Sequence, residues 1–274
     1  MRARKRRLRW AVLGVALLVI ACVAVAFPFG PLFPWSPWKP GYRLSRSLRA
    51  DVYYARGTYL KDAYENVDAV VLGAEKFLGI DAPQRITVVL CRNWTDFEHM
   101  MPHLRSRGLG GVTLATGTVI YITPKLDEKQ FDHGEFLRHE VLHAVMHQNQ
   151  TVRNALAMKK VEWLSEGLAV SYGQQKAYLS RGEFLERARK EDLRASIDPA
   201  LCEESKFDIR FAYPAWRYFT EFLRKQKTDE RFLNYVHAAM YDPDDWRVLF
   251  RQVLGQRFED AITSFQQEVR AAAD

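Results

Sequence analysis

The residues with the clearest chemical potential are His139, Glu140 and His143, in the stretch HEVLH. Histidines four positions apart lie one turn apart on the same face of a helix, where both imidazoles can reach a single metal ion. Glu140 stands beside the first histidine and can take a proton from water that Zn²⁺ acidifies. The pattern predicts hydrolysis with Zn²⁺ as cofactor, and the alternative is a helix with two histidines and no metal.

A tetrahedral catalytic zinc site needs a third protein ligand and one open position. His147 continues the row, but its position eight residues after His139 puts it ~12 Å along the helix axis, too far to share the ion. The segment WLSEGLA follows His143 and places Glu166 in a helix-forming stretch. We favour Glu166 as the third ligand, with Glu162, one turn earlier on the same face, as the competing carboxylate.

Taken together, HEVLH and WLSEGLA resemble the gluzincin branch of the zincin metallopeptidases, and specifically the peptidase MA-like domains. The resemblance extends to a strand ITVVL at 86–90, a tyrosine-containing segment at 211–219 and an amphipathic tail at 244–270. It covers about residues 50–270, although only the two zinc motifs are specific. The family commonly has Asn directly before the third ligand, where this chain has Ser165, a supporting position.

This resemblance implies a zinc metallopeptidase that hydrolyses peptide bonds in peptides or unfolded proteins. The implied zinc ligands are His139, His143 and Glu166. The implied catalytic base is Glu140. By its place in the family pattern, the Tyr213 hydroxyl donates a hydrogen bond to the developing oxyanion, and Arg217 is a weaker candidate of the same kind. The strand at 119–123 is expected to form the cleft edge, where an extended peptide adds as a further strand.

Two other functions compete for the same residues. One is a non-catalytic binding or scaffold domain with a vestigial zincin fold, although the intact Glu140 argues against a loss of turnover. The other is a zinc amidohydrolase that acts on cell-wall peptides. The sequence leaves the cleavage preference, any latency and the oligomeric state open.

The N-terminus combines a basic segment with a long apolar run. Residues 1–9 hold six of the 40 Lys and Arg, which leaves 34 bases against 33 acids and a nearly neutral remainder. We find no basic patch interleaved with aromatic residues, and we expect no nucleic-acid partner. Residues 10–27 carry no charge, which predicts a single transmembrane signal-anchor after a cytoplasmic tail. The rest of the chain would then be extracytoplasmic, either periplasmic or extracellular.

Two processing alternatives apply to this segment. A lipoprotein-like box precedes Cys22, which would then be lipidated, and an A-x-A motif would allow secretion after cleavage at Ala26. Residues 28–41 carry proline at every third position, which predicts an extended Pro/aromatic stalk in the polyproline II conformation. The alternative is a linker whose aromatic residues pack on the domain.

The remaining residues, 42–274, are expected to form one zincin-like peptidase domain. Apolar residues recur at helical spacing over 59–78, and 112–123 is rich in β-forming residues, as in a strand or hairpin. A capping box at 132–135 begins the helix that carries HEVLH. Helical patterns dominate from 161 onward, so a small sheet followed by helices predicts the α+β class.

Cysteine usage adds one further alternative. Beyond the N-terminal segment only Cys91 and Cys202 occur. They could pair in an oxidising compartment, but two free thiols fit the sequence equally well.

Overall fold

The computed structural model describes residues 2–36, 38–57, 62–104, 110–124, 132–176, 178–201 and 208–272. The strands are β1 (Tyr42–Arg46), β2 (Ala50–Ala55), β3 (Ile86–Leu90), β4 (Gly111–Thr113) and β5 (Val119–Ile122). The helices of the first half are α1 (Arg2–Phe29), α2 (Asp62–Glu65), α3 (Val67–Leu78), α4 (Trp94–Met100) and α5 (His133–Gln148). Those of the second half are α6 (Val152–Ala157), α7 (Glu162–Gly173), α8 (Arg181–Ala188), α9 (Leu193–Ile197), α10 (Ile209–Gln226), α11 (Asp229–Tyr241), α12 (Trp246–Leu254) and α13 (Phe258–Ala271).

The strands form one mixed sheet in the order β1-β2-β3-β5-β4. β2, β3 and β5 are parallel, while β1 and β4 run antiparallel to their neighbours. A small sheet followed by helices agrees with the predicted α+β composition. The predicted cleft edge was wrong, because β5 lies inside the sheet and the edge strand is β4. The run 112–123 is a hairpin whose turn at Gly117 has a φ of 68°.

The two faces of the sheet are covered differently because strand side chains alternate between faces. On one face Val88 and Ile120 join the main core with α3 and α5, and on the other Val89 and Tyr121 pack with α4. α5 is buried along most of its length, including every residue from His139 to Met146. The helix with the HEVLH motif is therefore the central element of the domain, held from several sides.

The position of α7 is fixed by a close crossing with α10. A Cβ at Gly167 would lie 2.6 Å from the backbone oxygen of Trp216, so only glycine permits this approach. Four helices pack around Trp163, whose buried ring contacts aromatic residues of α10, α11, α12 and α13. These contacts set the rotation of α7 and thereby the direction of its polar face, which carries Glu162 and Glu166.

The expectation of a transmembrane helix over 10–27, and with it a single-pass membrane protein, was wrong. Within the described part of the chain, no helix combines the length and the apolar character that a membrane span requires. The segment does form a helix, but that helix, α1, begins within the basic cluster at Arg2.

The proline-rich segment packs on the domain at its centre. Residues 33–35 form a 3₁₀ turn, and Phe33 is fully buried with its ring centroid 4.8 Å from that of Tyr42. This arrangement corresponds to the linker alternative at Phe33 and not to a continuous polyproline II stalk. Of the two cysteines, Cys91 is a buried free thiol and Cys202 lies outside the described residues.

Candidate metal centre

The histidine-bearing helix is anchored at its first turn. The Asp132 carboxylate accepts hydrogen bonds from the backbone amides of Gly134 at 2.7 Å and Glu135 at 3.2 Å, which confirms the N-cap half of the predicted capping box. Glu135 accepts the backbone amide of Lys176 at 2.9 Å, just beyond the end of α7. The cap therefore also ties the start of α5 to α7, the two elements that carry the candidate ligands.

Three side chains converge between these two helices. His139 Nε2 lies 3.2 Å from His143 Nε2 and 3.3 Å from Glu166 Oε2, and His143 Nε2 lies 3.3 Å from Glu166 Oε1. Both histidines are buried, and the Glu166 side chain is 17% exposed. The structure thus brings together the three residues predicted as zinc ligands, in a group that could bind a metal ion.

The geometry of this group fits Zn²⁺. Ligand bonds of ~2.0–2.1 Å at tetrahedral angles place neighbouring ligand atoms ~3.3 Å apart. The two histidine nitrogens lie at about this distance from each other, and each lies at about this distance from one of the two Glu166 oxygens. Among the described residues, Glu166 Oε2 is buried and receives no hydrogen bond. Two imidazoles and a carboxylate form a donor set common in catalytic zinc sites, and the cleft side leaves room for a fourth ligand.

The charges at this centre favour a bound cation. Burial opposes the charged form of His143, but the carboxylates of Glu166, Glu140 and Glu162 outweigh it and raise the pKa of the imidazole. Burial would likewise raise the pKa of Glu166, but His143 and His139 hold it well below its usual range. The carboxylate is therefore ionised, and it stabilises positive charge placed between the helices.

Glu140 is held by two residues of the edge strand that sequence reasoning did not identify. Thr113 Oγ1 lies 2.7 Å from Glu140 Oε2 and 2.9 Å from its backbone oxygen. A Cβ at Gly111 would lie 2.8 Å from Glu140 Oε1, so β4 passes directly over the carboxylate. The only sequence signal was the placement of small and hydroxyl residues in a β-forming run ahead of the HEVLH helix.

Tyr213 lies beside the three ligands, on α10. Its ring is nearly parallel to that of His139, with centroids 6.4 Å apart, and it contacts the ring of Tyr178 at 5.1 Å. Burial, the charge of Glu166 and the neighbouring Tyr178 raise the pKa of Tyr213 well above its ordinary value. The hydroxyl is therefore protonated and able to donate a hydrogen bond. Tyr178 was not foreseen, and no motif marks it.

The other sequence candidates occupy different places. Arg217 does not line the cleft and pairs with Glu221 at 2.8 Å, which leaves Tyr213 as the candidate donor. His147 Nδ1 donates a hydrogen bond to Leu114 O, 3.0 Å away, and burial lowers the pKa of the imidazole to about 4. Glu162 lines the cleft outside the three-ligand group.

These residues open onto a cleft of about 420 Å³ between β4 and the helices α6 and α7. In the β4–β5 pairing, Leu114 N donates to Val119 O at 2.9 Å and Thr123 N donates to Gly110 O at 3.0 Å. Antiparallel ladders alternate, so the backbone groups of Gly111 and Thr113 point away from β5. In the described part of the chain no strand pairs with this side of β4, which faces the cleft.

Comparison with known proteins gives a likeness to solved structures. No known protein family matches the chain, and no curated protein matches it by sequence. Among solved structures, the chain is similar to a two-domain M1 zinc metallopeptidase, a mutant solved with L-arginine bound, at 17% identity and a TM-score of 0.44. The match covers 85% of this chain and 51% of the other, so this chain spans about half the length of that protein.

Proposed function

We propose that this chain is a zinc-dependent peptidase. The observation that carries the proposal is the convergence of His139, His143 and Glu166 at tetrahedral spacing, with Glu140 beside them at the floor of a cleft. A buried structural zinc site would have no use for a carboxylate next to the ligands or for an adjoining cleft.

Zn²⁺ bound at this centre supplies Lewis acidity, which polarises a carbonyl group and acidifies water. Glu140 takes the proton of the attacking water and passes it to the leaving amine, the usual work of a general base and acid. Thr113 holds one carboxylate oxygen of Glu140 at 2.7 Å and so fixes the orientation of this carboxylate. The Tyr213 hydroxyl donates a hydrogen bond to the oxyanion that develops on the substrate carbonyl.

The substrate is a peptide bound in extended form. The unpaired backbone groups of Gly111 and Thr113 can hydrogen-bond an added strand along β4, which would carry the scissile bond past Glu140. A substrate segment can pair with β4 only if its backbone is not already hydrogen-bonded within a folded protein. Unfolded segments and short peptides are therefore the expected substrates.

The test uses the full chain and two isosteric variants. Glu166→Gln removes a ligand, and the zinc content measured after dialysis should fall well below one ion per chain. Glu140→Gln should retain zinc yet lose peptide hydrolysis by about 10²-fold or more, because only the base is removed. A folded, unaltered chain that takes up no zinc would end the proposal. Full zinc with hydrolysis unaffected by Glu140→Gln would contradict the role of the base.

A further inference from the structure

Glu162 is a carboxylate of the cleft for which the described part of the chain provides no hydrogen-bond or ion-pair partner. It is half-buried, begins α7, and lines the same cleft as the candidate ligands, one helical turn before Glu166. Across the described residues, its side chain makes no hydrogen bond or ion pair. The other two carboxylates differ, because Glu140 contacts Thr113 and Glu166 contacts both histidines.

Glu162 adds a third carboxylate to the cleft, beside those of Glu140 and Glu166. Burial and the charge of Glu166 raise the pKa of Glu162, while Lys159 acts in the opposite direction. Lys159 lines the same cleft and is exposed, and no ion pair joins it to Glu162. Among the described residues, the Glu162 carboxylate is therefore left with unused hydrogen-bonding capacity.

Apolar side chains that line the cleft with Glu162 would strengthen its attraction for a substrate cation. Met101 and Leu104 lie on the β4 side of the cleft, and Met158 and Leu156 on the α6 side, the last with 67% of its surface exposed. A peptide lying on these apolar side chains displaces water, and electrostatic attraction grows as water is excluded. A cation brought there with the substrate would supply the partner that Glu162 lacks.

We propose that Glu162 is a specificity-determining residue that binds an ammonium or guanidinium group of the substrate, close to the scissile bond. This inference rests on the proposed peptidase function. The substrate class is then a peptide with a cationic group beside the cleavage position. The cation belongs either to a Lys or Arg side chain or to a free amino terminus, and these share one chemistry.

The test compares matched peptides on the zinc-loaded full chain. Each pair differs only by Lys or norleucine beside the scissile bond, and a second set compares free with acetylated amino termini. We expect kcat/KM to be ~10-fold or more higher for the cationic member, as a charge-assisted hydrogen bond in a partly desolvated site provides. Glu162→Gln should bring the ratio close to one, and Glu162→Asp should restore part of it.

The matched control is Glu230→Gln, the same chemical change at an exposed position of α11 away from the cleft. It should leave the ratio unchanged, which separates local recognition from an effect of net charge. If Glu162→Gln changes the kcat/KM ratio in the Lys and norleucine set, the cation is a side chain. If it changes the ratio in the set with free and acetylated ends, the cation is the amino terminus. Hydrolysis with equal ratios in the unaltered chain and in Glu162→Gln would overturn the inference while leaving the peptidase function intact.

A binding measurement keeps the two failures apart. Calorimetry on the Glu140→Gln chain, with and without Glu162→Gln, reports peptide affinity without turnover. If no peptide is hydrolysed but the cationic peptides bind more tightly through Glu162, the peptidase function fails and the recognition stands. If the two members of every pair bind equally, the recognition by Glu162 is refuted.

Discussion

The hydroxyl of Thr113 lies 2.7 Å from the carboxylate of Glu140 across the gap between the edge strand and the HEVLH helix. The same hydroxyl lies 2.9 Å from the Glu140 backbone oxygen, so one side chain fixes both the strand and the proposed base against α5. The contact connects β4, the proposed substrate-binding edge of the sheet, to Glu140, the proposed base. A movement of β4 would therefore change the position of the Glu140 carboxylate, and a movement of α5 would change the position of β4.

Replacing Thr113 by Val should lower kcat about 10-fold without loss of zinc. Valine keeps the shape of threonine but cannot hold the Glu140 carboxylate, and even a small displacement of a reacting group costs rate. Steady-state kinetics with a parallel zinc determination would check this expectation. Thr113→Ser retains the hydroxyl and should stay close to the unaltered chain; equal rates for the Val and Ser variants would contradict the role.

Replacing Gly111 by Ala should lower activity about 10-fold or more while the fold and the zinc content persist. The new methyl group would stand 2.8 Å from Glu140 Oε1, and the flexible end of that side chain can move aside at little cost in stability. The loss should therefore appear in kcat and not in the melting temperature.

The control for this change is Gly182→Ala on α8, where nothing lies within 4 Å of the added methyl group. Since alanine is a better helix former by up to about 1 kcal/mol, this variant should be as stable as the unaltered chain or slightly more so. Its activity should be unchanged. A similar loss of activity in both variants would refute the specific contact at Gly111.

The part of the site that follows from local spacing can be predicted from sequence. His139 and His143 share a face because they are four residues apart on a helix with its own cap at Asp132. Glu166 was instead predicted from the WLSEGLA segment and the resemblance that it carries, whereas in the structure its place among the ligands, in preference to Glu162, depends on the rotation of α7. That rotation is set by the packing of Trp163 and by the close approach at Gly167, which no local pattern reveals.

The part that depends on pairing across the sheet could not be predicted. The run 112–123 is recognisably β-forming, but whether its first or second half lies at the edge depends on the neighbours of β5. Thr113 and Gly111 reach Glu140 only because β4 is outermost. At the N-terminus, the charge-free run 10–27 does form a helix, but no helix of the described residues meets the requirements of a membrane span.

Replacing Asp96 by Asn should destabilise the domain at neutral pH by about 1 kcal/mol. The carboxylate accepts hydrogen bonds from the Tyr42 hydroxyl at 2.8 Å and from Arg92 Nη2 at 2.8 Å. Burial opposes its ionised form, but these partners outweigh it and lower the pKa of Asp96. Because the folded pKa lies below the unfolded one, this stability is complete above the unfolded pKa of ~3.9 and is lost as the pH falls through the folded value.

Urea unfolding of both chains at pH 7 and near pH 3 would check the sign. The difference in unfolding free energy should be largest at pH 7 and should shrink on acidification, since a protonated Asp96 resembles asparagine. A difference that grows toward low pH would show that the carboxylate is not stabilised in the folded state.

Replacing Tyr213 by Phe should lower kcat about 100-fold or more while KM and zinc content change little. The ring would keep its contacts with Tyr178 and its position beside His139, so the lost group is the hydroxyl alone. A donor that acts on the oxyanion stabilises the transition state more than the bound substrate, and its removal therefore appears in kcat. A rise in KM with kcat unchanged would instead make Tyr213 a substrate-binding residue. A loss of zinc would show that its hydroxyl serves to hold Glu166 in place.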